Sequence, residues 1–157
     1  MSEGSAGQSP LVVFVVEDEV LIQELLIEPL EDAGYQVLAA SSGGEAMKLL
    51  EAQEAESIRA LITDVNLGSS SPSGWEVARR AREGHPDIPV VYITGDSAHD
   101  WSSQGVPNSL LITKPFAPAQ IITAVSQLII RQRLHRRPRR KIIESICKCA
   151  LRSDPAS

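Results

Sequence analysis

Five times between residues 11 and 130, a short apolar run rich in β-branched residues is followed by a longer segment of helical periodicity. That alternation restricts the fold more than any other feature. Parallel strands need a crossover connection and, when buried on both faces, read as continuous apolar runs, so the expected architecture is a doubly wound α/β sheet. LVVFVV (11–16) leads into a helix from Glu17 to Ala33, with apolar residues at 21, 22, 25, 26 and 30 and Gly34 as its stop. Pro29 inside that helix is expected to remove a hydrogen bond to Leu25 and bend the last turn. YQVLAA (35–40) with Gly43 to Glu51, and IRALIT (58–63) with Trp75 to Glu83, make the next two units. IPVVYIT (88–94) precedes the weakly patterned GDSAHDWSSQ. SLLIT (109–113) precedes a strongly periodic helix carrying Ile121, Ile122, Val125, Leu128 and Ile129.

Around this body the chain changes character. Residues 1–9 are small and polar and read as a leader, 10–132 as the folded domain, and 133–157 as a basic extension too short for a separate output domain. Up to residue 130 there are 6 basic and 18 acidic residues. Beyond it there are 9 and 2, seven of the basic ones within RQRLHRRPRRK at 131–141. Such a tail would suit nucleic acid or another acidic surface, but a solvated helix end favouring cations accounts for it more simply. After Pro138, IIESICKCALR places Ile142, Ile143, Ile146 and Ala150 on one face of a short helix. The chain's two cysteines, Cys147 and Cys149, are too close in sequence to staple a fold and have no further ligands clustered nearby. The apolar runs fall far short of a membrane span and no basic region leads into an apolar one, so a cytoplasmic setting is expected.

In a doubly wound sheet, functional groups gather beyond the carboxyl ends of the strands. Here those ends carry Glu17 and Asp18 after the first strand, Asp64 after the third, Thr94 at the fourth and Lys114 after the fifth. Three converging carboxylates repel unless a cation joins them, and an all-oxygen set with room for water favours Mg²⁺. An aspartate can attack phosphorus, and a lysine ammonium and a threonine hydroxyl can carry the charge on the transferred oxygens. Each of these residues has an ordinary reading when taken alone: Glu17 and Asp18 as an acidic first turn, Asp64 as a turn former, Thr94 as a strand former. Their joint occurrence at four strand ends favours phosphoryl chemistry.

VVEDE, LITDVNL, VVYITG and ITKPF stand in the order and spacing of response-regulator receiver domains, which the chain resembles over roughly residues 10–132. The resemblance implies a flavodoxin-like (βα)5 fold with strand order 2-1-3-4-5. It implies a stand-alone two-component switch phosphorylated on Asp64 by a histidine kinase or phosphotransfer protein. By matching position, Asp18 would be a direct Mg²⁺ ligand with Asp64, Glu17 a ligand through water, and Asn66 a ligand through its backbone carbonyl. Thr94 would rearrange onto the phosphoryl group and Lys114 pair with it, before a cis proline at Pro115. Output would pass through the fourth and fifth units to a downstream protein or a second copy in a homodimer. No enzymatic activity is implied beyond gaining and losing the phosphoryl group. The chain departs from the pattern at Leu111, where many receivers carry an aromatic ring that follows the threonine.

Two other classes compete. A regulator that binds nucleic acid through the tail would lose strong, salt-dependent binding on deletion of residues 131–157, whereas a phosphate sink would have the same chemistry without output. A hydrolase of the haloacid-dehalogenase type uses similar residues but places its nucleophile after the first strand in an Asp-x-Asp motif, where this chain has Glu17-Asp18.

Overall fold

The computed structural model describes residues 10–52, 57–68 and 72–136. The leader at 1–9 and, in the tail, Pro138, Ile142, Ile143, Ile146, Cys147, Cys149 and Ala150 lie outside the described residues. Five parallel strands, β1 (Val12–Val16), β2 (Gln36–Ala40), β3 (Ile58–Asp64), β4 (Val90–Thr94) and β5 (Ser109–Thr113), form one sheet in the order β2-β1-β3-β4-β5. The helices are α1 (Val20–Asp32), α2 (Gly43–Glu51), α3 (Gly74–Gly84), α4 (Trp101–Gln104) and α5 (Pro118–Arg136).

Strand side chains alternate between two cores, as the pleat requires. Val13, Val15, Ile62 and Ile93 face α1 and α5, where they meet Leu26 and Ile121. Phe14, Leu61 and Tyr92 face the other way, against Ala46 of α2 and Val77 and Ala78 of α3. All of these side chains are buried, each contributing about 1.5–3 kcal/mol if large and apolar. Burial on both faces explains why the strands read as unbroken apolar runs.

Most strand and helix ends fall within one or two residues of the sequence reading, and the larger differences are in α1, the fourth helical segment and α5. α1 begins at Val20 rather than Glu17, because Glu17, just past β1, is still tied to β2, its N–H donating to Ala40 O at 3.1 Å. The helix then passes through Pro29 to Asp32, so the proline does not end it. The fourth helical segment shrinks to a 3-10 turn at Ala98–Asp100 followed by the single turn of α4. α5 continues to Arg136, past residue 132, where the sequence places the end of the domain.

α3 opens on a capping box that satisfies two otherwise orphaned donors: Ser73 N–H donates to Glu76 Oε2 at 2.8 Å and Glu76 N–H donates to Ser73 Oγ at 3.4 Å. Ser73→Ala is therefore expected to lower stability in urea unfolding by about 1 kcal/mol. An unchanged midpoint would show that the longer of the two bonds contributes nothing.

Candidate functional site

The carboxyl ends of β1, β3, β4 and β5 meet at one edge of the sheet, and all the strand-end residues singled out from the sequence arrive there. β1 and β3 are neighbours, which places Glu17 and Asp18 beside Asp64; carboxylate oxygens of the three lie within 4.8 Å of one another. They are the only cluster of three such metal-ligating groups among the described residues. Glu17 is 1% exposed and Asp64 4%, whereas Asp18 is open to solvent.

Two oxygens of one carboxylate have separate partners. Asp64 Oδ1 accepts from Asn66 N–H at 3.0 Å, and Asp64 Oδ2 accepts from Lys114 Nζ at 2.8 Å. Lys114 arrives from the far side of the sheet, steered by its backbone N–H donating to Thr94 O at 2.8 Å and followed by a cis bond to Pro115. Thr94 is wholly buried, and its Oγ1 accepts from Ser97 N–H at 2.9 Å. Asn66 is exposed, and its side-chain amide donates to Asp96 Oδ1 at 2.9 Å across the mouth of the site.

Glu17 is the least satisfied group. Its Oε1 accepts from Glu19 N–H at 3.1 Å, but its buried Oε2 has no hydrogen-bond partner and lies 3.8 Å from Lys114 Nζ. That separation leaves a Coulomb attraction and no hydrogen bond. Burial, reinforced by the charge of Asp64, pushes the Glu17 carboxyl from its usual 4.5 up to about 8, against the pull of the Glu19 N–H and Lys114. Burial lowers the Lys114 ammonium, but the hydrogen bond and charge of Asp64, with Glu17 behind them, outweigh it and hold the pKa above its ordinary value. With Glu17 ionised, one lysine does not neutralise three carboxylates. An orphaned, buried carboxylate oxygen beside two aspartates is the donor set that a hard divalent cation fits.

One contact was hidden in the sequence. Gly74, the first residue of α3, packs so tightly on the phosphoacceptor candidate that an added Cβ would lie 2.0 Å from Asp64 O and 2.9 Å from Val65 Cα. Its N–H donates to Val65 O at 2.9 Å. A glycine after a serine in a polar loop carries no spacing signal that distinguishes this role from an ordinary turn.

Comparison with known proteins places the chain in a family. The family described as the response regulator receiver domain matches residues 13–126. The response regulator receiver protein CpdR of Brucella abortus is 28% identical over 75% of this chain and 96% of its own length. The phosphate regulon transcriptional regulatory protein PhoB of Pseudomonas aeruginosa is 29% identical over 76% of this chain, which spans only 52% of PhoB. The crystal structure of a response regulator receiver protein from Sinorhizobium medicae WSM419 superposes with a TM-score of 0.75 at 41% identity, covering 78% of this chain and 97% of that one. Among the described residues no helix is long and apolar enough to cross a membrane. With the family match covering most of the chain, the sheet in the order read from the sequence, and the strand-end residues gathered at one edge, this chain belongs to the response-regulator receiver family of two-component systems.

Proposed function

We propose that Asp64 accepts a phosphoryl group from a histidine kinase or histidine phosphotransfer protein, with Mg²⁺ held by Glu17, Asp18 and Asp64 and by the backbone carbonyl of Asn66, and that the modified chain signals to a downstream protein. The observation that carries this reading is the convergence of three carboxylates and Lys114 on one sheet edge. Mg²⁺, when bound, would neutralise charge on the carboxylates and on the incoming phosphoryl oxygens.

The chain's own residues do the rest. Asn66 N–H fixes the Asp64 carboxylate through Oδ1. As an Asp64 oxygen bonds to phosphorus and the bond to the donor nitrogen breaks, the Lys114 ammonium moves from carboxylate to phosphoryl oxygen, and the Thr94 hydroxyl donates to another. The product brings a charge of about −1.5 to −2 and three strong acceptors, enough to reorder hydrogen bonds around it. Loss of the group by hydrolysis resets the chain, and no reaction on a separate substrate is part of this reading.

Intact-protein mass after incubation with acetyl phosphate tests it. The native chain with Mg²⁺ is expected to gain about 80 Da, with no gain in EDTA or in Asp64→Ala. An adduct that survives in Asp64→Ala, or forms equally in EDTA, overturns the assignment of the acceptor or of the metal.

A further inference from the structure

At the opposite edge of the sheet from Asp64, where β4 and β5 begin, an open cavity of about 780 Å³ lies between the α3–β4 connection, the start of β5 and the last turns of α5. That volume is within the range of small-ligand sites. The five residues of β4 separate it from the carboxylates, roughly 16 Å at about 3.3 Å per residue. Pro89, Leu110 and Leu128 give the cavity an apolar lining, and Arg82, Arg131 and His135 bring two guanidiniums and an imidazole to it.

Cations are scarce in this body, which carries 6 basic against 18 acidic residues up to residue 130. Most of those with a described partner are engaged elsewhere: Arg80 pairs with Glu83, Lys114 with Asp64 and Glu17, and Arg79 donates to Gln104 O and Oε1 at 3.2 Å. Arg82 and Arg131 have no carboxylate within 4 Å among the described residues. Asp87, the one acid among the described lining residues, therefore stands too far off for an ion pair. Burial pulls Arg82 below its ordinary pKa although Tyr92 and Asp87 act the other way, which marks a cation short of counter-charge.

These groups are held in place before any ligand arrives. Arg82 Nε–H donates to Ile88 O at 2.8 Å, which fixes the guanidinium and leaves its two Nη groups unbonded among the described residues. Gln132 Nε2 donates to Asp87 O at 2.9 Å, tying the end of α5 to the connection that follows α3. Ser109 offers a ligand no proton, since its hydroxyl donates to Val106 O at 2.6 Å and accepts from Trp101 Nε1–H at 2.9 Å. The charged donors thus decide what enters. Guanidinium forks match phosphate bidentately, and two of them with an imidazole supply more donors than one carboxylate uses. A phosphate monoester brings three free oxygens and a charge of about −1.5 to −2. The apolar lining leaves room for a carbon body beside it.

We propose that this cavity binds a small phosphate monoester carried on a ring system, the size of a nucleoside monophosphate, with Arg82 and Arg131 gripping the phosphate and Pro89, Leu110 and Leu128 packing on the body. The site is separate from Asp64 and stands whether or not Asp64 is phosphorylated.

Calorimetric titration of the full chain tests it, with adenosine monophosphate, adenosine and inorganic phosphate as probes. EDTA is present throughout, so that no phosphate is held by a metal at the carboxylates. The monophosphate is expected to bind one to one and about tenfold more tightly than either fragment. Arg82→Gln and Arg131→Gln, the latter at an exposed position, are each expected to weaken it about tenfold. Asp87→Asn removes the acid but keeps the backbone carbonyl, and is expected to tighten binding about threefold, a gain that a loosened fold would not give. Replacing Arg139, Arg140 and Lys141 together by Gln is expected to leave the affinity unchanged. No binding, an affinity equal to that of either fragment, unchanged affinity in Arg131→Gln or loss in the tail variant overturns the proposal, the last by assigning the anion to the basic tail. Should Arg82→Gln fail to fold, Arg131→Gln and Asp87→Asn decide it.

Discussion

Gly74→Ala is expected to lower the thermal unfolding midpoint by about 10 °C, equivalent to 3 kcal/mol or more and above the usual range for over-packing. Most inserted methyl groups find a flexible side chain that can give way. This one finds backbone on every side, with Asp64 O at 2.0 Å, Asp64 C at 2.8 Å and Val65 Cα at 2.9 Å. Relief requires moving either α3 or the end of β3, and β3 is hydrogen-bonded to a strand on both sides. The same displacement would drag the Asp64 carboxylate away from Lys114 and Asn66, so adduct formation with acetyl phosphate should fall along with stability. Gly44→Ala is the control. That glycine lies inside α2 with nothing within 4 Å of an added Cβ, so the substitution is expected to stabilise by up to about 1 kcal/mol through helix propensity alone. Equal midpoints for the two variants would refute the close approach at Gly74.

Glu17→Gln should act in opposite directions on the metal-free and metal-bound chain. The folded chain keeps the Glu17 proton up to about pH 8, whereas the unfolded chain releases it near the ordinary glutamate value of 4.5. Between those limits the folded state binds more protons, so native stability without metal falls as pH rises through the interval and levels off above it. The amide carries no such charge. At about pH 8.5 in EDTA, Glu17→Gln is therefore expected to melt above the native chain, and at about pH 5 the difference should vanish. With Mg²⁺ the order reverses, because the metal needs the deprotonated carboxylate and the substitution should weaken binding by about 10- to 100-fold. Thermal melts at the two pH values, with EDTA or Mg²⁺, read all four cases. A pH-independent native midpoint in EDTA would contradict the buried, proton-holding Glu17.

The sequence conveyed the strands and the strand-end chemistry because both rest on residue type. β5 occupies 109–113 as read, and the runs at 11–16 and 58–63 differ from β1 and β3 by one residue at an end, since β-branched residues buried on both faces leave an unbroken apolar pattern. Glu17, Asp18, Asp64, Thr94 and Lys114 were legible as a group once the sheet was assumed, because topology alone brings those ends together. Contacts made by backbone were not legible. Ser97 matters through its N–H and Gly74 through what it lacks, and neither leaves a trace in polarity or spacing. The start of α1 was misplaced for a related reason: Glu17 and Asp18 resemble a helix's acidic first turn, but Glu17 is fixed by a ladder bond to Ala40 O. The fourth helix faded because residues 95–104 have little apolar periodicity and their fastening comes from Trp101 and Arg79.

The position of each strand in the sheet divides the site into a fixed jaw and a moving one. Asp64 stands on the middle strand and Glu17 follows its neighbour, each strand flanked on both sides, whereas Lys114 follows β5, a strand with one free edge. Edge strands open at less cost than central ones. A clamp of this kind would release its grip by letting the lysine jaw slacken while the acids stay in register, so on the proposed phosphorylation of Asp64 a partner that leans on β5 would change how long the phosphoryl group lasts without displacing Asp64 itself.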